Sequence, residues 1–213
     1  IKLSTGLRLS AERVRGNFTV TNPNFNYLEK SLTTDFFVTD TDKMTDSGYK
    51  STNAGFSFGT AFEQYDDFFF RPTFRTVYEE LTTTSLASSN LKKQEGSYFT
   101  SEIGYSFDLD KRNQRFQTSD GFQSKFTQTI PVISESDTLL NGYQFDTYHS
   151  YNDITASLGL YLRAVTGLSD DVRVSERISL PRKRLRGFES GKIGPVDSND
   201  FIGGNYAAAL NFQ

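Results

Sequence analysis

Apolar and polar residues alternate with a period of two along most of the chain. Ile1, Leu3, Leu7 and Leu9 share one face of an extended segment, and Lys2, Ser4, Gly6 and Arg8 share the other. Ala54, Phe56, Phe58 and Phe62 oppose Asn53, Gly55, Ser57 and Gly59. Phe68, Phe70, Phe74 and Tyr78 oppose Arg71, Thr73 and Arg75, with Pro72 falling in the apolar set, where it removes a ladder donor. Phe99, Ile103, Tyr105, Phe107 and Leu109 alternate with Thr100, Glu102, Gly104, Ser106 and Asp108. Ile154, Ala156, Leu158, Leu160 and Leu162 do so with Ser157, Gly159, Tyr161 and Arg163. Weaker versions run from Val14 to Asn22, Leu32 to Val38, Phe122 to Val132, Tyr143 to Tyr151 and Tyr206 to Phe212. The pattern predicts about ten strands of the length that crosses a membrane at a tilt.

A soluble sandwich also alternates, so the opposite face decides between the two settings. In a soluble barrel the core-facing side is apolar and the outside is rich in Lys and Glu. Here the polar face is built from Gly, Ser, Thr and Asn with scattered Arg, Glu and Asp, which suits a wide hydrated lumen. The fold class expected is therefore all-β, an antiparallel transmembrane β-barrel. No apolar run approaches the roughly 18 residues of a membrane helix. The 20 Phe and 11 Tyr among 213 residues make the apolar content strongly aromatic, which favours strands.

The connectors add an asymmetry. Thr39 to Lys50, Thr82 to Gly96 and Ser134 to Gly142 read as long polar loops, whereas Asn22 to Lys30, Glu63 to Asp67 and Tyr151 to Ile154 read as tighter joints. Leu109 to Gly121 is a long exception among the turns. This alternation places Thr82 to Gly96 and Ser134 to Gly142 outside the cell and Asn22 to Lys30 in the periplasm. A last connector, about 169–202, crowds glycine and proline into a stretch without periodicity, around "LRGFESGKIGPVDSNDFIGGN".

With no Cys and a single His, the chain has no thiolate zinc site, no Cys nucleophile and no acyl-transfer constellation, so neither an enzyme nor a cofactor is expected. His149 falls on the lipid-side register near a strand end. The net charge of −3 argues against a nucleic-acid binder, and the basic run Pro181 to Arg186 reads as a solvated face, with contact to lipopolysaccharide phosphates as a further use. "DTDKMTD" lacks the Gly and terminal Glu of a calcium loop and reads as surface.

"VTNPNF" (Val20 to Phe25) and "YSFDLDKRNQRFQTSDGFQSKF" (Tyr105 to Phe126) resemble barrel segments of the BamA family, the central subunits of bacterial outer-membrane protein assembly. The strongest match is three tripeptides in family order within the glycine-rich loop: Arg186–Gly187–Phe188, Ile193–Gly194–Pro195 and Gly203–Gly204–Asn205. The resemblance covers essentially the whole chain and implies the third to twelfth strands of a sixteen-stranded barrel, with the periplasmic POTRA domains, the first two strands and the last four lying outside it.

The resemblance also implies that the loop before the last strand folds back into the barrel, its Arg-Gly-Phe tip against the inner wall. Such a backbone needs tight turns to satisfy its polar groups, which Gly187, Gly191, Gly194 and Pro195 supply, and Arg186 can offer a planar fork to a carboxylate with Phe188 packing beside it. Family members often carry a Glu after "GGN"; this chain reads "AAALNFQ", leaving Asn211, Gln213, Glu102, Asp108 or a residue on a later strand outside this sequence as the partner for Arg186. The implied function is a non-enzymatic insertase of the bacterial outer membrane, with unfolded outer-membrane proteins as clients and assembly lipoproteins, outer-membrane lipid and lipopolysaccharide as partners. A secretion or translocation pore of a related two-partner-secretion or porin type is the alternative. Phe56, Phe58, Phe70, Phe74, Leu158, Leu160 and Leu162 are expected to face lipid, and luminal Gly159 is expected to tolerate Ser.

Overall fold

The computed structural model describes residues 1–27, 30–135, 137–169, 171–189, 191–197 and 200–213. Ten strands form one antiparallel sheet in which every chain neighbour pairs with the next: β1 (Lys2–Leu9), β2 (Arg13–Asn22), β3 (Ser31–Lys43), β4 (Tyr49–Tyr65), β5 (Phe68–Thr83), β6 (Gly96–Asp110), β7 (Gly121–Ser134), β8 (Thr138–Tyr151), β9 (Ile154–Gly167) and β12 (Tyr206–Phe212). A small hairpin of β10 (Val196–Asp197) and β11 (Asp200–Phe201) lies in the loop before β12, and one short helix, α1 (Ser89–Lys93), lies between β5 and β6. Among the described residues no helix is long and apolar enough to cross a membrane.

The pairing register shows how the alternation becomes two different surfaces, because residues directly opposite in an antiparallel pair share a face. Phe62, Phe70, Phe107, Phe126, Tyr143, Leu162 and Ala208 line up across seven strands as one outer row. Rings within it touch, with centroids 5.7 Å apart for Phe62–Phe70 and 5.1 Å for Phe70–Phe107. Phe56, Phe58, Leu158 and Leu162 are exposed on this face, and Phe70, Phe74 and Leu160 are half-covered by their neighbours. The other face carries Arg75 paired with Glu102, Arg71 with Asp108, and Arg13 bonded to Thr41. Large apolar side chains lie outside and ion pairs lie inside, the inverse of a soluble barrel.

The buried apolar cluster among the described residues lies away from the sheet centre. Leu81, Ala87 and Leu91 pack together where the β5–β6 connection folds over the strand ends, with Tyr49 and Val174 against them. Ser88 caps α1, its hydroxyl accepting from the Leu91 N–H at 3.3 Å.

Two of the three polar connectors expected to be long are strand instead. β3 runs to Lys43 and β4 begins at Tyr49, so only 44–48 turn; β7 runs to Ser134 and β8 begins at Thr138. The reason is length. A 14-residue strand such as β8 extends about 45 Å at ~3.3 Å per residue, whereas a tilted crossing needs about ten residues. Strand pairing therefore continues into water, where both faces are polar and alternation fades. Residues 28–29 of the Asn22 to Lys30 turn and residue 136 of the Ser134 to Gly142 connector lie outside the described residues.

Pro72 remains inside β5, opposite Tyr105 of β6. Its missing N–H registers on the other side: the β4–β5 pairing is continuous from Tyr49 to Gly59, resumes at Phe62–Phe70, and is broken opposite Pro72.

Candidate functional site

The connection from β9 to β12 does not stay at the rim. It runs over the inner face of the sheet and is held there by two arginines. Near the top of the strands, Arg173 is buried, with Nη1 3.3 Å from Glu79 Oε2 and Nη2 donating to Glu176 Oε1 at 3.0 Å, while its guanidinium lies 4.1 Å from the centre of the Tyr98 ring. Glu79 also accepts from Ser51 at 3.2 Å and from Ser175 at 3.1 Å, so both carboxylate oxygens are engaged. The Val174 N–H donates to Gln94 Oε1 at 2.9 Å, tying this part of the loop to the β5–β6 connection.

Deeper in the barrel, Arg182–Arg184 form a single 3-10 turn, closed by the Arg184 N–H bonding to the Pro181 carbonyl at 2.8 Å. The turn aims Arg184 at the wall. Its Nη1 and Nη2 donate to the two oxygens of Asp146 at 2.8 and 3.0 Å, a two-pronged carboxylate pair. Hydrogen bonding and the charge of Asp146 push the Arg184 pKa further above its ordinary value, so the guanidinium stays charged. Gly159 lies eight residues below the end of β9 at Gly167, so this contact is about 26 Å along the strand from the rim.

The register explains why the wall accepts a guanidinium there. Gln123, Asp146, Gly159 and Asn211 lie side by side in one inward row across β7, β8, β9 and β12. Gly159 has no side chain, and the gap between Asp146 and Asn211 is where Arg184 sits. Asn211 Nδ2 donates to the Arg184 carbonyl at 2.8 Å, so side chain and backbone of one loop residue are held on opposite sides of the glycine.

The residues singled out in the loop are distributed differently. Arg186 is exposed, and its one polar contact among the described residues is to Gln213 Oε1 at 3.4 Å. Phe188 is 58% exposed. Glu102 and Asp108 are taken by Arg75 and Arg71, so neither meets Arg186. Gly187, Gly191, Gly194 and Gly203 all adopt positive φ, which accounts for the glycine content. The closest fit is at Gly203, where a Cβ would come within 3.0 Å of the Ile178 carbonyl. Gly204 exchanges both backbone hydrogen bonds with Ile178, and the Asn205 carbonyl accepts from the Val165 N–H at 2.8 Å, which steers the chain into β12. Ile193 is half-buried, and the Pro195 carbonyl accepts from Ile202 at 3.0 Å. Residues 170, 190, 198 and 199 of the expected 169–202 loop lie outside the described residues.

The basic run is not a uniformly solvated face. Arg182 and Lys183 are exposed, but Arg184 is buried. Its role was hidden because only the loop's path distinguishes it from its neighbours; Asp146 was equally inconspicuous as one inward carboxylate among several.

The family model for the Omp85 superfamily domain matches residues 2–213. The chain belongs to the Omp85 superfamily. The barrel of BamA from Haemophilus ducreyi, in a crystal structure lacking POTRA domains 1–3, superposes with a TM-score of 0.85 at 17% identity, over 99% of this chain and 46% of that one. The chain thus spans about half the length of that relative. None of the curated proteins matches. Omp85 membership accounts for the inside-out surface, because this is a superfamily of bacterial outer-membrane proteins concerned with protein insertion and translocation. Among the described residues there is no cluster of His, Cys, Asp and Glu able to hold a metal ion.

Proposed function

We propose that this chain is the barrel portion of a BamA-like insertase, which folds other β-barrel proteins into the outer membrane without enzymatic chemistry. The observation that carries the reading is the combination, in one Omp85 domain, of a BamA-like sheet with a connection between its last two strands docked inside the lumen. Clients would be unfolded outer-membrane proteins, offered the polar edge groups of an opened seam between terminal strands as a template for a new strand. Assembly lipoproteins, lipid and lipopolysaccharide complete the expected partners.

The test is reconstitution of the full-length protein into liposomes with an unfolded β-barrel client. Folding is read as protease-protected, heat-modifiable client. Faster folding than in empty liposomes supports the insertase. No acceleration, together with passage of a soluble passenger polypeptide into the vesicles, overturns it in favour of a translocation pore.

A further inference from the structure

We infer that Gly159, flanked by Asp146 and Asn211, forms a socket for Arg184, and that Arg184 is the positioning residue that sets the depth of the loop inside the barrel. The inference goes beyond the proposed function, since it concerns how the loop is seated whatever the barrel moves.

Two observations converge on it. The guanidinium makes a paired contact with Asp146 while the same residue's carbonyl receives Asn211, so rotation and translation of the loop are both restrained. A Cβ on Gly159 would stand 2.6 Å from Asp146 Oδ1 and 2.7 Å from Arg184 Nη1, closer than real Cβ contacts come, so any other residue pushes the ends of these two side chains out of their paired geometry. Lysine cannot substitute fully, because an ammonium presents one point charge where the carboxylate is met by two parallel N–H groups. The loop's charge alone does not explain the arrangement either, since Arg182 and Lys183 carry the same charge and remain in solvent.

The experiment is proteinase K digestion of the loop in the full-length protein in lipid, without any client, with heat-modifiability recording that the barrel is folded. Arg184→Ala, Asp146→Ala and Gly159→Ser should each raise loop cleavage by roughly tenfold or more, because removing one partner of a buried pair exposes the other. Arg184→Lys should be intermediate and Arg182→Ala unchanged. The double variant Arg184→Ala with Gly159→Ser should be no more sensitive than either single one, since both break the same contact. If Arg184→Ala yields no folded barrel, Gly159→Ala carries the same expectation with one methyl group added. A protected loop in Gly159→Ser, additive effects in the double variant, or equal sensitivity in Arg182→Ala overturns the socket. Because no client is present, a failed socket is distinguishable from a failed insertase.

Discussion

The guanidinium of Arg173 stands 3.3 Å from the Glu79 carboxylate, with both side chains about nine-tenths buried on the inner wall. Glu79 is also the acceptor for Ser51 and Ser175. Glu79→Ala therefore leaves Arg173 with Glu176 as its one remaining carboxylate among the described residues and removes the acceptor of two hydroxyls. The upper part of the loop should lose about 1.5 to 3 kcal/mol of docking stability, the worth of a hydrogen bond to a charged group. Hydrogen exchange at the Val174 and Glu176 amides measures it, and protection equal to that of the native protein would show that the ion pair does not hold the loop.

Leu160 faces outward between Phe145 of β8 and Leu210 of β12. Leu160→Arg in the full-length protein should cost about 2 to 4 kcal/mol if the position is near the bilayer midplane, measured by reversible denaturant unfolding in lipid. Gln144→Arg, on the inner face, should cost much less. Equal costs would contradict the assignment of the two faces.

Sidedness follows from strand order. The β5–β6, β7–β8 and β9–β12 connections share one end of the sheet, and the 22–30 and 111–120 turns share the other. With no native Cys to interfere, Leu86→Cys (67% exposed) should react with an impermeant maleimide on intact cells. Phe116→Cys (80% exposed) should react only after the outer membrane is opened. The reverse pattern would invert the barrel.

Asn152 turns β8 into β9 with φ of 53°. Asn tolerates this left-handed conformation where most L-residues do not. Asn152→Ala should destabilise the barrel by about 1 kcal/mol, whereas Asn152→Gly should be neutral or slightly stabilising. Unfolding in lipid distinguishes them, and indistinguishable variants would mean the turn readjusts.

The ten strands were legible because lipid on one side and water on the other impose a strict period of two, which Phe56, Phe58, Leu158 and Leu162 keep. Strand ends were not. Beyond the membrane both environments are water, so Thr39 to Lys43 and Thr138 to Gly142 pair as strands while reading as loops. The glycines of the loop announced its turns but not which arginine would meet the wall. That choice depends on the 3-10 turn at Arg182–Arg184 and on a row that exists only once β8, β9 and β12 are in register. Gly159 carried the opposite expectation, tolerance of Ser, because a luminal glycine looks like empty space until the side chain that fills it is located.

The two arginine contacts grip the arc of the sheet at β5 and at β8, three strand spacings apart, or about 14 Å along the curve. The loop between them is a chord inside a hoop. Widening this sector, as a barrel admitting or releasing a strand must do somewhere along its circumference, would load both ends of the chord at once. The 3-10 turns at Val174–Glu176 and Arg182–Arg184 are the slack available to absorb that load. The girth of the sector from β5 to β8 is thus braced from within, so a change in diameter falls more easily on strands the chord does not cross.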